Sequence, residues 1–164
     1  MDGVDPVLLI SRWLHLAAAM AALGAALYMR IALIPAANEQ LSPDDHQRLR
    51  EALRRRWAPV VHASVAVLFL TGFLNFFLMV ISPKIKPMPY HAIFGVKLLA
   101  ALFIFFIAEA LVGSSPGTTG IRGKRARWLT ILLVTGGLVV ALSGVLNQIR
   151  THQLRNPLPV AVSK

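Results

Sequence analysis

Four long apolar stretches divide the chain, at about residues 6–35, 57–81, 91–112 and 128–149. Each is long enough to cross the hydrocarbon core of a bilayer as a helix, which takes about 20 residues. Lipid offers the backbone no hydrogen-bond partners, so a spanning segment must be a helix or part of a closed barrel. Barrel strands alternate over about ten residues, whereas these stretches are longer and continuously apolar. The sequence therefore predicts an all-α fold, an integral-membrane four-helix bundle, with residues 1–164 forming one four-span domain.

The first apolar stretch has a second interpretation, a cleaved signal peptide. Such a peptide begins with a basic segment and has a short apolar core. Here Asp2 and Asp5 stand in the first residues, and the apolar stretch is about twice the length of a signal-peptide core. We therefore expect this stretch to be retained as a membrane span.

The net charge of +10 comes largely from basic residues in two connections. Four alternating spans place the 1–2 and 3–4 connections on one side of the membrane. Cytoplasmic loops carry the excess of Lys and Arg, so both termini are predicted to face the periplasm of a bacterial inner membrane. This distribution favours anionic lipid head groups over nucleic acid as the partner of the basic residues. The clustered residues are Arg48, Arg50, Arg54, Arg55 and Arg56, then Arg122, Lys124, Arg125 and Arg127.

The connections carry further local signals. Ser42 and Pro43 are typical of a helix start, which predicts a short amphipathic helix over 43–55 on the cytoplasmic surface, inside a long 1–2 connection. The three prolines of segment 82–89 predict an extended, non-helical turn. Segment 113–127 is rich in Gly, Ser and Thr and then basic, which predicts a mobile loop. Small residues concentrate in spans one and four, so we expect those two helices to pack closely or to face a partner.

Histidines are the first candidates for chemistry, because ionisable residues inside spans are costly and often functional. The chain has no cysteine, which excludes thiolate metal sites and Fe–S clusters. His15 and His91 lie toward the same, outer side and are allowed to share a site, whereas His62 lies toward the inner side. Imidazole with thioether suits copper, and two imidazoles on facing helices suit haem; histidines that merely face the head groups are the alternative. Further ligands on the outer side are Met88, Met79 and His152.

Lys97 lies six residues into span three, about 9 Å below its start. An ammonium group at this depth must reach outward, find a partner, or contact a cofactor carboxylate. We expect its amine to point outward within the bundle, toward Asn147, Gln148, a backbone carbonyl or a cofactor carboxylate near His15. At the inner end we expect a structural pair of Arg30 and Glu109, and Asn75 in span two requires an interhelical partner.

The residues Arg12-Trp13-Leu14-His15, followed by Gly24, resemble the first helix of the membrane domain of the copper-resistance D (CopD) family. Thr71-Gly72 ahead of Asn75, and the segment Phe94-Gly95-Val96-Lys97-Leu98-Leu99, are similar to later parts of that domain. The HemJ-type protoporphyrinogen oxidases, which bind haem b, are similar too. They share an early histidine, an arginine near the end of helix one (Arg30) and a Lys-Leu pair in helix three (Lys97-Leu98). The second helix-three histidine of those oxidases is absent, with Glu109 near its place.

Three functions stay open. The leading one, which the first resemblance implies, is handling of copper or another transition metal at an outward-facing site of His15, His91 and Met88. The second, implied by the oxidases, is a haem-b redox protein in which His15, His91 and Lys97 hold the cofactor. The third is a structural subunit of a larger membrane complex whose histidines merely face the head groups. The expected partners are the lipid bilayer and either further copies of the chain or a larger membrane complex. The sequence has no phosphate loop, nucleophile elbow or His-Glu-x-x-His helix, so no catalytic residue is assigned.

Overall fold

The computed structural model describes residues 6–80 and 87–155, with side chains over 6–77, 92–149 and 151–152. Four long helices account for most of these ranges, and no strand occurs within them. Helix α1 comprises Pro6–Tyr28, a π-helical turn at Met29–Leu33 and a last segment, Ile34–Gln40. Helix α2 is Pro43–Val80, α3 is Pro87–Val112 and α4 is Arg125–Arg155.

Each long helix contains a segment long and apolar enough to cross a membrane: Pro6–Gln40, Pro43–Phe77, Ala92–Val112 and Arg125–Ile149. Large apolar side chains cover the outside of the bundle, and Trp13, Leu99 and Val134 are each 70% exposed. A soluble protein rarely exposes so large an apolar surface to water, whereas the hydrocarbon core of a membrane accommodates it. The predicted all-α membrane bundle is therefore confirmed.

The helices form a ring in which α1 packs along α2 and α3 packs along α4. Smaller contacts between α2 and α3 and between α1 and α4 close the ring. The α2–α3 contact includes the stacked rings of Phe76 and Phe94, whose centroids are 4.0 Å apart. The expected close packing of α1 with α4 is confirmed only in part, because these helices do contact each other but each packs more extensively along another helix, α1 along α2 and α4 along α3.

The glycines show at which positions a small residue allows two helices to approach each other. A Cβ added at Gly136 would come within 2.5 Å of Leu23 Cδ2, so this glycine allows α4 to approach α1. No described atom would come within 4 Å of a Cβ added at Gly24, Gly137 or Gly144. The small residues at those three positions therefore do not mark contacts between helices in the part of the chain that the structure describes.

The connection between α1 and α2 is only Leu41 and Ser42, so the predicted long 1–2 connection is wrong. The predicted surface helix is the first part of α2, which continues through Pro59 to Val80. The capping function of Ser42 is confirmed, since its Oγ accepts a hydrogen bond from the Asp45 N–H at 3.2 Å. The helix continues because nothing between residues 43 and 59 breaks it, and a membrane helix tolerates a proline such as Pro59.

Two other connections also differ from expectation. Helix α3 begins at Pro87, so the end of the proline-rich segment is helical, while its preceding residues 82–86 lie outside the described residues. Proline fits a first helical turn, where an N–H would lack an intrahelical partner anyway. Between α3 and α4 the chain forms a 3-10 turn, Pro116–Thr118, and a short helix, Thr119–Gly123, in place of the predicted mobile loop. Arg122 fastens this segment by donating to the carbonyls of Gly113 and Ser115, at 3.1 and 2.9 Å.

The two ends of the bundle differ in character. We call the end that carries Leu41–Ser42 and residues 113–124 the basic end, and the end near Pro6 and Arg155 the termini end. A buried apolar cluster lies toward the basic end and consists of Ala26, Ile107, Leu111, Leu129 and Leu132. Toward the termini end the buried residues include the polar Ser11 and Thr71. Polar groups inside a membrane bundle often have a function, so the termini end is the candidate functional region.

Candidate functional site

His15 is held by a hydrogen bond between α1 and α2. Its Nδ1 lies 2.8 Å from the Thr71 Oγ1. The Thr71 hydroxyl has a single proton, and it donates that proton to the carbonyl of Val67 at 2.5 Å. It must therefore accept the bond from His15, which places the ring proton on Nδ1. The Nε2 atom of His15 keeps its lone pair and is the atom available to a metal.

The ring of His15 also lies beside Gly72 of α2. A Cβ added at Gly72 would lie 3.5 Å from His15 Cε1, in ordinary van der Waals contact. The hydrogen bond to Thr71 therefore fixes the rotation of the ring, as expected of a metal-binding imidazole supported by the residues around it.

Buried polar groups continue from His15 toward the termini end. Ser11 lies one turn from His15 on α1, and Asn75 lies one turn from Thr71 on α2. The Ser11 Oγ and the Asn75 Oδ1 are buried without a hydrogen-bond partner among the described residues, so the partner expected for this Asn75 atom is not found. A buried polar atom that lacks a partner costs about 1–3 kcal/mol. Such atoms mark a place where a bound group could complete the hydrogen bonding.

Lys97 enters the same region from α3. Its side chain is half-buried, and it lies close enough to His15 for its charge to act on the imidazole. Three helices thus contribute polar groups to one region: α1 through Ser11 and His15, α2 through Thr71 and Asn75, and α3 through Lys97. We call these five residues the outer polar cluster.

The remaining predicted ligands cannot be placed in this cluster. Met88 and His91 belong to α3 and Met79 to α2, but their side chains lie outside the described residues. His152 is exposed near the end of α4. In the described part of the chain, no three side chains of His, Asp or Glu come together as a metal site. The shared site of His15 and His91 stays a prediction.

Near the basic end of the bundle, the charged and titratable side chains form other pairs than the sequence predicts. His62 Nδ1 donates to Glu109 Oε2 at 2.6 Å, which links α2 to α3. Arg30, in the π-helical turn, donates instead from Nε to Thr130 Oγ1 at 2.9 Å, which links α1 to α4. The predicted pair of Arg30 and Glu109 is therefore wrong.

Sequence reasoning singled out His15, Lys97 and Asn75 but missed Ser11 and the acceptor function of Thr71. A signal was present, because Ser11 and His15 are four residues apart, as are Thr71 and Asn75. This spacing places each pair on one helix face. What the spacing does not reveal is that these two faces meet.

Comparison with known proteins adds one match. A family model described as "Copper resistance protein D-like, N-terminal domain" matches residues 2–84. This range includes α1 and α2, and so the histidine, threonine, serine and asparagine of the outer polar cluster, whereas Lys97 lies beyond it. No curated protein and no solved structure matches the chain.

Proposed function

As the chain belongs to the copper resistance protein D-like family, we propose that it handles copper at the termini end of the bundle, with His15 Nε2 as a metal ligand. The observation that carries this proposal is the hydrogen bond from His15 Nδ1 to Thr71 Oγ1. Metal-binding histidines commonly donate their second ring nitrogen to a fixed acceptor, which sets the tautomer and the orientation of the ring. His15 has this arrangement inside a membrane bundle.

One imidazole does not complete a copper site, and we propose His91 and Met88 as the other ligands. Both belong to the first two turns of α3, on the same side of the bundle as the start of α1. Imidazole and thioether are the ligand types that select copper, above all in its cuprous form. The chain has no cysteine that could supply a thiolate instead.

Lys97 gives the proposed site a particular character. An ammonium group beside His15 repels any cation that binds to the ring, and it repels a singly charged ion less than a doubly charged one. We therefore propose that the site favours cuprous over cupric ions and holds them weakly. Weak binding suits a protein that passes copper on rather than stores it.

Binding of haem b is the second candidate, and the same lysine is the observation that favours it. Lys97 would offer a cation to a haem propionate, and His15 Nε2 would offer an axial ligand. Absorption spectroscopy and metal analysis of the purified protein separate the candidates. Copper without a Soret band supports the copper proposal, and a Soret band supports haem. Neither copper nor haem would favour a structural subunit of a larger membrane complex.

Thr71 provides a test of the orienting hydrogen bond. Replacing Thr71 by valine keeps the shape of the side chain but removes the acceptor for His15 Nδ1–H. Loss of such a supporting contact typically weakens metal binding about 10–100-fold. We expect Thr71→Val to weaken copper binding by that factor in a competition assay with a cuprous chelator. Thr71→Ser retains the hydroxyl and should bind as the parent protein does; equal binding by both variants would contradict the orienting function.

We also propose an orientation, with the basic end in the cytoplasm and both termini in the periplasm of a bacterial inner membrane. The support is the concentration of arginines at the basic end, where α1 meets α2 and α3 meets α4. The proposed copper site then faces the periplasm. Alkaline phosphatase fused after the C-terminus should be active, and green fluorescent protein fused there should not fluoresce. The reverse pattern would overturn this orientation.

A further inference from the structure

A cavity lined by arginines opens at the basic end, away from the outer polar cluster. Its volume is about 340 Å³, and it lies between the start of α2, the end of α3 and the start of α4. The charged and titratable residues that line it are Arg50, Arg54, Arg122, Arg125, Glu51 and His46. The copper proposal makes no use of this cavity.

The cavity wall carries an excess of positive charge. Four guanidinium groups face a single carboxylate, that of Glu51. This carboxylate is already engaged, because it accepts from Arg54 NH2 at 2.8 Å and from Arg55 Nε at 3.2 Å. The charges of Arg50, Arg122 and Arg125 are therefore not balanced by an acidic partner that lines the cavity.

Part of the wall is fixed by hydrogen bonds to the backbone. Arg54 donates to the carbonyl of Val112 at 3.5 Å, and Arg122 donates to the carbonyls of Gly113 and Ser115. Arg50 in turn donates from NH2 to the carbonyl of Arg122 at 3.3 Å. These contacts hold α2 against the segment between α3 and α4. Three of the four arginines of the cavity wall, Arg50, Arg54 and Arg122, are therefore tied to the backbone.

Arg125 is the residue that this arrangement leaves unsatisfied. Its Nε is buried without a hydrogen-bond partner in the ranges that the structure describes. The like charge of Arg50 also acts on it, which adds repulsion to the cost of burial. Arg125 is the first residue of α4, whose positive helix end faces the same place. An anion in the cavity would offset the repulsion between the two guanidinium groups and would complement the positive end of the helix.

We propose that this cavity binds an anion through a phosphate group, with Arg125 and Arg50 as its principal ligands. Guanidinium groups bind phosphate oxygens through paired, charge-assisted hydrogen bonds. Basic pockets between transmembrane helices are also places where anionic lipid head groups bind. A lipid head group and a soluble phosphate compound share this chemistry, and the cavity fits the phosphate group of either. The proposal does not depend on copper binding.

The test is thermal unfolding of the full chain, purified free of lipid in a neutral detergent. One arm adds inorganic phosphate, with chloride at equal ionic strength as its reference. The other arm adds phosphatidylglycerol to the micelles, with phosphatidylcholine as its reference. A ligand at about 100 times its Kd should raise the Tm by about 5–10 °C for a chain of this length. A rise with phosphate identifies a soluble compound as sufficient, and a rise with phosphatidylglycerol alone identifies a lipid.

Three variants make the test specific. Arg125→Gln should lose the rise in Tm, whereas Arg127→Gln, two residues further along α4 and absent from the cavity lining, should retain it. Arg50→Gln, on α2, should lose it as well and decides the matter if Arg125→Gln does not fold. The proposal is overturned if neither probe raises the Tm above its reference, or if Arg50→Gln and Arg127→Gln respond alike.

Discussion

His15→Ala should abolish specific copper binding by the purified protein. Loss of a residue that only supports a ligand costs about 10–100-fold in affinity, so loss of the ligand itself should cost at least about 100-fold. The measurement is competition with a cuprous chelator, supported by metal analysis of the protein as purified. His46→Ala is the matched control, because this histidine lies at the opposite end of the bundle, in the wall of the basic cavity. Unchanged binding by His15→Ala would contradict the proposed site.

The loss of binding can be separated from a loss of folding. When the ring is removed, the Thr71 hydroxyl still donates to the carbonyl of Val67, so no buried donor is left without a partner. The ring of His15 is half-buried and lies beside Gly72 of α2, so its removal leaves a small space. We therefore expect His15→Ala to remain folded, with a helical circular dichroism spectrum equal to that of the parent protein. A variant that loses both copper and helicity would not support a ligand function.

The membrane fold could be predicted from the sequence because lipid leaves few choices. A stretch of about 20 apolar residues that must satisfy its own backbone becomes a helix, whatever surrounds it. The same physics does not say where such a helix ends in water. The segment from Pro43 to Arg56 is polar, so the sequence predicts it as separate from the second span. Its residues nevertheless favour the helical conformation, and the segment forms one continuous helix with that span. The error in the 1–2 connection has this cause.

Pairing of helices was the harder part. Small residues in α1 and α4 indicated close packing, but such residues also occur where no described part of another helix lies against them, as at Gly24 and Gly144. The expected pair of Arg30 and Glu109 was also wrong, because a single sequence does not reveal which helices are neighbours. Each residue was placed at the correct end of the bundle, but the ring of helices sets α1 beside α4 and α2 beside α3. Depth in the membrane follows from chain length, whereas the neighbour across an interface follows from packing that a single sequence does not reveal.

The candidate site likewise contains residues that the sequence revealed and one, Thr71, whose function the sequence did not reveal. His15 and Lys97 stood out because charged or titratable groups inside a span are rare. Thr71 did not stand out, because a threonine in a membrane helix ordinarily donates to a carbonyl of its own helix. Thr71 donates to the carbonyl of Val67 in this way, and its oxygen at the same time accepts a hydrogen bond from His15 of α1. Only the three-dimensional pairing of the two helices assigns the tautomer of His15, and with it the ring nitrogen that the proposed site would use.

Lys97→Leu should strengthen copper binding and thereby distinguish copper from haem. Two unit charges at roughly 8–10 Å, with an effective dielectric constant near 20, interact by about 2 kcal/mol. Removing the ammonium group beside His15 should therefore raise the affinity for a cuprous ion by roughly tenfold to thirtyfold. Leucine is chosen because methionine would introduce a thioether that could itself bind copper. The measurement is the same chelator competition that tests His15→Ala.

Lys97→Arg is the control for this prediction, since it keeps the positive charge and should bind copper about as the parent protein does. The haem candidate predicts the opposite trend, because a propionate would lose its cation and the haem content, read from the Soret band, would fall in Lys97→Leu. A rise in copper affinity that occurs with leucine but not with arginine assigns Lys97 to the electrostatics of a cation site. Equal affinities in both variants would mean that the charge of Lys97 does not reach a metal bound to His15, and the proposal of weak, transient copper binding would then lose its physical basis.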